Sequence, residues 1–201
     1  EGVDWGVKLG FVRSSGDVCA VVNNDQVQAM FEFQHQRFVE HMLPSPLKDV
    51  PTTSAGQDQG VRLRDLNHDG VSEILIGNSN QRTLWAKKYS GWVQIDDGLP
   101  ASIVDAGGRD CGVRFADIDL DGFDDLIVSN ESQSGIHLYD SESQGLTRAI
   151  EGGAIAGARG WGLHWRCSCG QARVEGVLAQ PPVAELESID RKSTRPHSSH
   201  W

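Results

Sequence analysis

The chain has 201 residues, of which 38% are hydrophobic and 23 are glycine, and its 28 acidic against 18 basic side chains give a formal net charge of −10. An acidic surface repels phosphate backbones and attracts divalent cations, so the charge argues against nucleic acid as a partner. No apolar run approaches the roughly 18 residues of a transmembrane helix, so no membrane span is expected. The length fits one ordinary domain or part of a larger repetitive one.

The predicted elements repeat along the chain at a spacing of about 50 residues. The first unit starts near residue 6 with GVKLGFVRSSGDVCAVVNN, the second near 60 with GVRLRDLNHDGVSEILIGN, and the third near 112 with GVRFADIDLDGFDDLIVSN. A fourth lead-in starts a unit near residue 162, where CSCGQARVE replaces the expected loop. The sequence therefore predicts three to four units within residues 1–165, then a degraded or irregular stretch over 166–190.

Each unit favours strands over helices. SEILIGN and DDLIVSN are short β-branched runs, and TLWAKKYSGWVQI fits two strands across a tight turn at Ser90-Gly91. Three to four strands per unit predict an all-β partial β-propeller of about three to four blades, built from four-stranded antiparallel sheets; a sandwich is the alternative. Period-2 alternation predicts the burial of Val61, Leu63, Ile74, Ile76, Val113, Phe115, Leu126 and Val128.

The second and third units each contain a nine-residue acidic loop with oxygen-bearing side chains at positions 1, 3, 5 and 9 and glycine at position 6. Position 7 is apolar and can offer its backbone carbonyl. The candidate ligands of the 65–73 loop are Asp65, Asn67, Asp69, Val71 and Glu73. Those of the 117–125 loop are Asp117, Asp119, Asp121, Phe123 and Asp125.

Hard oxygen ligands in a curled loop suit Ca²⁺, so about two ions are expected. An EF-hand is excluded because position 12 is Ile76 in one loop and Val128 in the other, both inside strand-like runs. A solvated acidic turn without metal is the alternative. The 117–125 loop has four carboxylates, with Asp124 beside them, and is expected to bind more tightly. Because the loops lie in different blades, Asp121→Ala is expected to abolish only the second site.

These two loops and the strands after them resemble FG-GAP or VCBS-type repeats, the calcium-loop blades of integrin-α-like β-propellers, over roughly residues 1–165. The resemblance implies Ca²⁺ bound between strands in a secreted, periplasmic or cell-surface protein. Its expected partners are an unknown protein or carbohydrate ligand and the remaining propeller blades of a parent chain. The chain itself is expected to be a fragment with a disordered tail at 191–201, which resembles a non-native linker sequence.

Two units depart from the family pattern and are expected to bind no metal. At the four ligand positions the first unit has Phe11, Arg13, Ser15 and Cys19. The fourth unit has Cys167, Cys169, Gln171 and Glu175 there. The cysteines show neither zinc nor haem spacing, and their pairing cannot be assigned from the sequence.

The expected function is that of a non-enzymatic calcium-binding propeller module, acting in binding or as a structural scaffold. The alternative is a propeller scaffold or accessory domain of a larger secreted enzyme. A catalytic site would need polar residues that converge from several blades. The candidates share no repeat position; they are His41, Arg82, Tyr89 and His137.

Overall fold

The computed structural model describes residues 4–96, 98–130, 132–149, 164–168 and 171–175. The chain forms two compact units, Glu1–Gly157 and Ala158–Trp201. Within the described residues the fold is all-β, with a single 3-10 turn at Ser45–Leu47 as its helical element. The predicted fold class is therefore confirmed.

The first sheet is an antiparallel meander in which each strand pairs with the next along the chain. Its strands are β1 (Lys8–Gly10), β2 (Cys19–Asn23), β3 (Gln28–Gln34) and β4 (Arg37–His41). The connection to the second sheet contains the 3-10 turn and a two-stranded ribbon, β5 (Thr53–Ser54) and β6 (Gln57–Asp58).

The second and third sheets repeat this four-stranded meander. The second sheet consists of β7 (Val61–Arg64), β8 (Glu73–Gly77), β9 (Arg82–Lys88) and β10 (Gly91–Ile95). The third consists of β11 (Val113–Ala116), β12 (Asp125–Ser129), β13 (Ser134–Asp140) and β14 (Gly145–Ala149). Three successive meanders are compatible with propeller blades, and the described residues show no closure into a ring.

The hairpin of the second sheet turns one residue earlier than the sequence predicted. Lys88 pairs with Gly91, so the two turn residues are Tyr89 and Ser90. In the second compact unit the described residues form one antiparallel hairpin, β15 (His164–Ser168) with β16 (Gln171–Glu175). The predicted ligand-position residue Cys169, the 191–201 tail and most of the 166–190 stretch lie outside the described residues.

The core of the first compact unit lies between the sheets, in two clusters that meet at β8. Ile74 and Ile76 pack toward residues of the first sheet, such as Val21 and Met30. Leu75, on the opposite face of the same strand, packs toward residues of the third sheet, such as Leu126. Because β8 is covered on both sides, all five of its residues are buried.

The alternation argument identified most of this core. Six of the eight residues predicted to be buried are buried, and Leu63 and Phe115 are half-buried and pack against the two clusters. The pattern did not predict burial of the opposite strand face, where Leu75 and Ile127 are also buried. A strand between two sheets has no solvent face, so period-2 reasoning finds only half of its core residues.

The glycines that open the second and third units allow close contact between strands. Gly60 and Gly112 have φ of 74° and 76°. Their carbonyl oxygens accept hydrogen bonds from the N–H groups of Gly77 (3.0 Å) and Ser129 (3.1 Å). A Cβ at either glycine would collide with the carbonyl oxygen of that same partner. The shared glycine is therefore required both by its left-handed backbone and by the space available.

One face of the first sheet is exposed, whereas the second and third sheets bury the equivalent face. Val7 and Leu9 are 53% and 64% exposed, whereas the equivalent Val61 of the second sheet is fully buried. We call the surface formed by Val7, Leu9, Phe33 and Phe38 the outer face of the first sheet. Among the described residues, no helix has the length and apolar character needed to cross a membrane.

Candidate metal centre

The two acidic loops, 65–73 and 117–125, have the same backbone path. Position 4 is left-handed in both, with φ of 55° at His68 and 61° at Leu120. Position 6 is a left-handed glycine, with φ of 88° at Gly70 and 96° at Gly122. Nothing lies within 4 Å of a Cβ built at either glycine, so the backbone conformation alone requires glycine there. The sequence predicted the bend at position 6 but not the second left-handed residue at position 4.

The carboxylate at position 1 of each loop accepts hydrogen bonds from backbone N–H groups of the same loop. Asp65 accepts hydrogen bonds from the backbone N–H groups of Asp69 (3.1 Å) and Gly70 (2.9 Å). Asp117 accepts the equivalent bonds from Asp121 (3.2 Å) and Gly122 (3.0 Å). Two separate stretches of chain thus form the same curl, as the repeat predicted.

Positions 3, 5 and 7 form short turns within the 65–73 loop. Asn67 accepts a hydrogen bond from the Asp69 N–H (3.0 Å) and donates one to the Asp69 carboxylate (3.1 Å). Asp69 in turn accepts one from the Val71 N–H (2.8 Å). In the other loop Asp121 accepts the same bond from Phe123 (3.0 Å).

The position-9 carboxylates are buried at the start of the second strand of each sheet, where Glu73 is 3% exposed and Asp125 is fully buried. Glu73 Oε2 accepts a hydrogen bond from the Leu66 N–H (2.8 Å). Asp125 accepts two, from the N–H groups of Ile118 and Tyr139, each at 2.8 Å.

Burial makes both position-9 carboxylates hard to ionise in the metal-free protein. Burial raises the pKa of Glu73 to about 7, and the negative charges of Asp69 and Asp65 add to the effect. Burial likewise raises the pKa of Asp125, with Asp119 and Asp121 contributing in the same direction. The backbone N–H groups oppose the shift but do not cancel it. A cation in either loop would favour the ionised form.

Three carboxylates of the 117–125 loop converge. Asp117, Asp119 and Asp125 each place an oxygen within 4.8 Å of the others, and they are half-buried, exposed and buried respectively. These three residues could hold a metal ion. The exposed Asp121 is not part of this set. In the 65–73 loop, Asn67 occupies the position of Asp119 and supplies an amide in place of a carboxylate.

A contact that the sequence did not predict joins the two loops. Asp124, only 5% exposed, donates its N–H to the carbonyl of Leu66 in the other loop (2.8 Å). Its carboxylate lies 2.6 Å from Arg64 Nε and 3.7 Å from Nε2 of the exposed His68. Arg64 therefore offsets the negative charge that Asp124 was expected to add to its loop. The prediction of tighter binding at 117–125 then rests on Asp119, which replaces the amide of Asn67 with a carboxylate.

In the equivalent loop of the first sheet, an arginine side chain supplies a positive charge. Arg13 occupies loop position 3, and its Nε lies 3.2 Å from the carboxylate of Glu32, a fully buried residue of β3. Ser15 and Gln34 donate hydrogen bonds to the same carboxylate, and His41 Nε2 lies 2.9 Å from it. The Ser15 hydrogen bond lowers the pKa of Glu32, and the charges of Arg13 and His41 support this. No local pattern identified Glu32, because it belongs to the neighbouring strand.

Comparison of the chain with family models, curated proteins and solved structures found no match. The resemblance to FG-GAP and VCBS-type repeats therefore stays a prediction that rests on the loop residues themselves. Among the described side chains, Cys19 and Cys111 are free thiols.

Proposed function

We propose that this chain is a calcium-binding β-propeller module in which the ion has a structural role. The observation that carries the proposal is the convergence of Asp117, Asp119 and Asp125 within a loop whose backbone path recurs at 65–73. A solvated acidic turn would leave its carboxylates exposed to water, whereas each loop buries one carboxylate, at position 9. An ion would remove the repulsion among these carboxylates and tie each loop to the strand that follows it.

The donor set favours Ca²⁺ over other metals. The converging side chains are all carboxylates, which are hard oxygen ligands, whereas zinc and copper prefer sulfur or imidazole. Ca²⁺ also tolerates irregular geometry and takes six to eight oxygens, so backbone carbonyls and water would complete the shell.

The exposure of the loops supports a location outside the cytoplasm. Asp119 and Asp121 are both exposed, so water competes for the ion. Sites of extracellular modules bind calcium with Kd of about 10⁻⁴–10⁻³ M, and a partly open loop fits that class. This exposure supports the proposal that the protein is secreted, periplasmic or at the cell surface.

The outer face of the first sheet supports a propeller with further blades. In the second sheet, Val61 and its neighbours form the equivalent surface and pack against the first sheet. In the third sheet, the corresponding residues, such as Val113, pack against the second sheet. The exposed Val7 and Leu9 offer the same kind of surface to another sheet. The proposed partner of this face is a further blade.

Calorimetric titration of the chelator-treated protein with calcium chloride tests the proposal. The wild type should bind two ions, the tighter one at 117–125. Asp119→Asn should lose that ion and keep the one at 65–73. Asp96→Asn, the same chemical change at an exposed aspartate outside both loops, should bind like the wild type. A stoichiometry near zero for the wild type would show that both loops are solvated turns.

A further inference from the structure

A cleft of about 190 Å³ lies at the start of the first unit. Three short stretches of chain line it: the segment before β1, the turn between β2 and β3, and the turn between β5 and β6. The side chains that decide its chemistry are those of Trp5, Asp4, Asp25 and Gln26, and no lining residue belongs to either acidic loop. Pockets for drug-sized ligands measure roughly 300–1,000 Å³, so this smaller cleft fits a single ring.

Hydrogen bonds fix the walls of this cleft to one another. Asn24 Nδ2 donates to the Trp5 carbonyl (3.0 Å), and Asn24 Oδ1 accepts a bond from the Gln26 N–H (2.8 Å). Asp25 Oδ2 accepts one from the Ala55 N–H (3.3 Å). The segment before β1 and the β5–β6 turn are therefore both tied to the β2–β3 turn. The cleft is thus formed before any ligand arrives, which lowers the ordering cost of binding.

The second and third units repeat this framework without the tryptophan. Asn78 Nδ2 donates to the Gln59 carbonyl (2.9 Å), and Asn130 Nδ2 donates to the Cys111 carbonyl (2.7 Å). The residue that corresponds to Trp5 is therefore glutamine in one unit and cysteine in the other. The framework uses only the backbone carbonyl at this position, so it does not account for a large aromatic side chain. Trp5 is 51% exposed, so its indole offers an apolar surface to a ligand.

The aspartate beside this tryptophan also departs from the repeat. Asp4 Oδ1 accepts the Gly6 N–H (2.8 Å), the same bond that the corresponding aspartates of the next two units make. Asp58 is paired with Arg62 of its own unit at 2.8 Å. The residue four positions after Asp4 is Lys8, whose Nζ lies 3.4 Å from Asp58 instead. Among the described residues no cation pairs with Asp4, so its Oδ2 can accept a hydrogen bond from a ligand.

We propose that this cleft binds one neutral pyranose ring, as a free sugar or as a residue of a glycan. The indole of Trp5 stacks on the C–H face of the sugar, because both surfaces are flat and apolar. The carboxylates of Asp4 and Asp25 accept hydrogen bonds from sugar hydroxyls, and bonds to a charged acceptor are stronger than neutral ones. The Gln26 amide can both donate and accept, as a hydroxyl does. The two negative charges exclude acidic sugars.

The experiment is an NMR titration with the methyl glycosides of glucose, galactose and mannose, with chelator present throughout. The signal followed is the indole N–H of Trp5, assigned as the one that is missing in Trp5→Phe. At least one glycoside should shift it with a Kd on the order of 1 mM, because one small ring makes few contacts. The uronide of that sugar carries a carboxylate in place of its CH₂OH group. It should bind at least about 10-fold more weakly, since like charges repel.

Two variants with matched controls assign the contacts. Trp5→Ala should weaken binding about 10-fold or more, as expected for a truncated aromatic anchor, and its melting temperature should stay near that of the wild type. Tyr89→Ala, which removes a fully exposed aromatic ring from the β9–β10 turn, should bind like the wild type. Asp25→Asn keeps an oxygen for the Ala55 N–H and should weaken binding about 3-fold, because the acceptor loses its charge. Asp96→Asn is its control and should bind unchanged.

The source of the sugar follows from a disaccharide of the glycoside that binds. Tighter binding than that of the methyl glycoside identifies a glycan, and equal or weaker binding identifies a free sugar; both support the proposal. No shift of the Trp5 signal with any of the three glycosides, or unchanged binding in Trp5→Ala, would overturn it. Binding of choline chloride in their place would also overturn it, by showing a site for organic cations. Because chelator is present, none of these results depends on calcium in the acidic loops.

Discussion

Stability of the metal-free protein should fall as pH rises, and Glu73 should be the main reason. In the unfolded chain this carboxyl titrates near 4.5, whereas burial in the folded state raises its pKa to about 7. Below pH 4.5 it is protonated in both states and its contribution to stability is fully present. Between these values only the unfolded state ionises, so folding loses stability, and above pH 7 the loss is complete.

The magnitude follows from the size of the shift. A rise from 4.5 to about 7 corresponds to on the order of 3 kcal/mol, at about 1.36 kcal/mol per pKa unit. Urea denaturation with chelator present, at pH 5 and pH 8, measures the difference. Glu73→Gln keeps an oxygen that can accept the Leu66 N–H and removes the charge, so it should lose most of the pH dependence and be more stable than the wild type at pH 8.

The control is Glu40→Gln, because Glu40 lies exposed on β4 and offers the same chemical change without burial. It should keep the wild-type pH dependence. If Glu73→Gln and the wild type lost stability equally between pH 5 and pH 8, the buried carboxyl would not be the origin of the effect, and the account of position 9 given above would be wrong.

Two further predictions concern packing. Gly112→Ala should destabilise the protein by more than the roughly 1–3 kcal/mol expected from left-handed backbone strain, because the new Cβ meets the Ser129 carbonyl oxygen. The control Gly122→Ala adds the same strain without a collision. Equal losses of stability in urea denaturation would contradict the steric argument. Leu9→Lys should leave the melting temperature nearly unchanged and reduce concentration-dependent association seen by light scattering, because Leu9 lies on the outer face of the first sheet. Leu63→Lys, at the equivalent half-buried position of the second sheet, should lower the melting temperature markedly. Two similar melting curves would show that the outer face of the first sheet does not correspond to the surface that the second sheet packs against the first.

The local features of this fold could be predicted from the sequence, because each is encoded over a few neighbouring residues. The β-branched runs after Glu73 and Asp125 specify strands, and the spacing of the acidic side chains specifies the curl of each loop. The bend at Gly70 and Gly122 follows from the glycine at position 6 of both loops. These signals require no knowledge of what lies opposite in space.

The features that were missed depend on contacts between strands and between sheets. Arg64 reaches Asp124 across 60 positions of the chain, and the Asp124 N–H donates to the Leu66 carbonyl in the loop of the preceding sheet. Neither pairing leaves a periodic pattern, since an arginine or aspartate at the end of a strand is compatible with many environments. Glu32 was missed for the same reason: its partners Arg13 and Ser15 lie in a loop before the neighbouring strand.

The Arg13–Glu32 pair makes the loop of the first sheet independent of calcium in solution, unlike the loops of the other two sheets. A guanidinium attached to the chain cannot be removed by a chelator, so the 11–19 loop keeps its cation at any calcium concentration. On the proposed function, the 65–73 and 117–125 loops depend on an ion drawn from solution. A change in ambient calcium would therefore act unevenly along the chain, leaving the first loop resistant to proteases while the two acidic loops become open to cleavage.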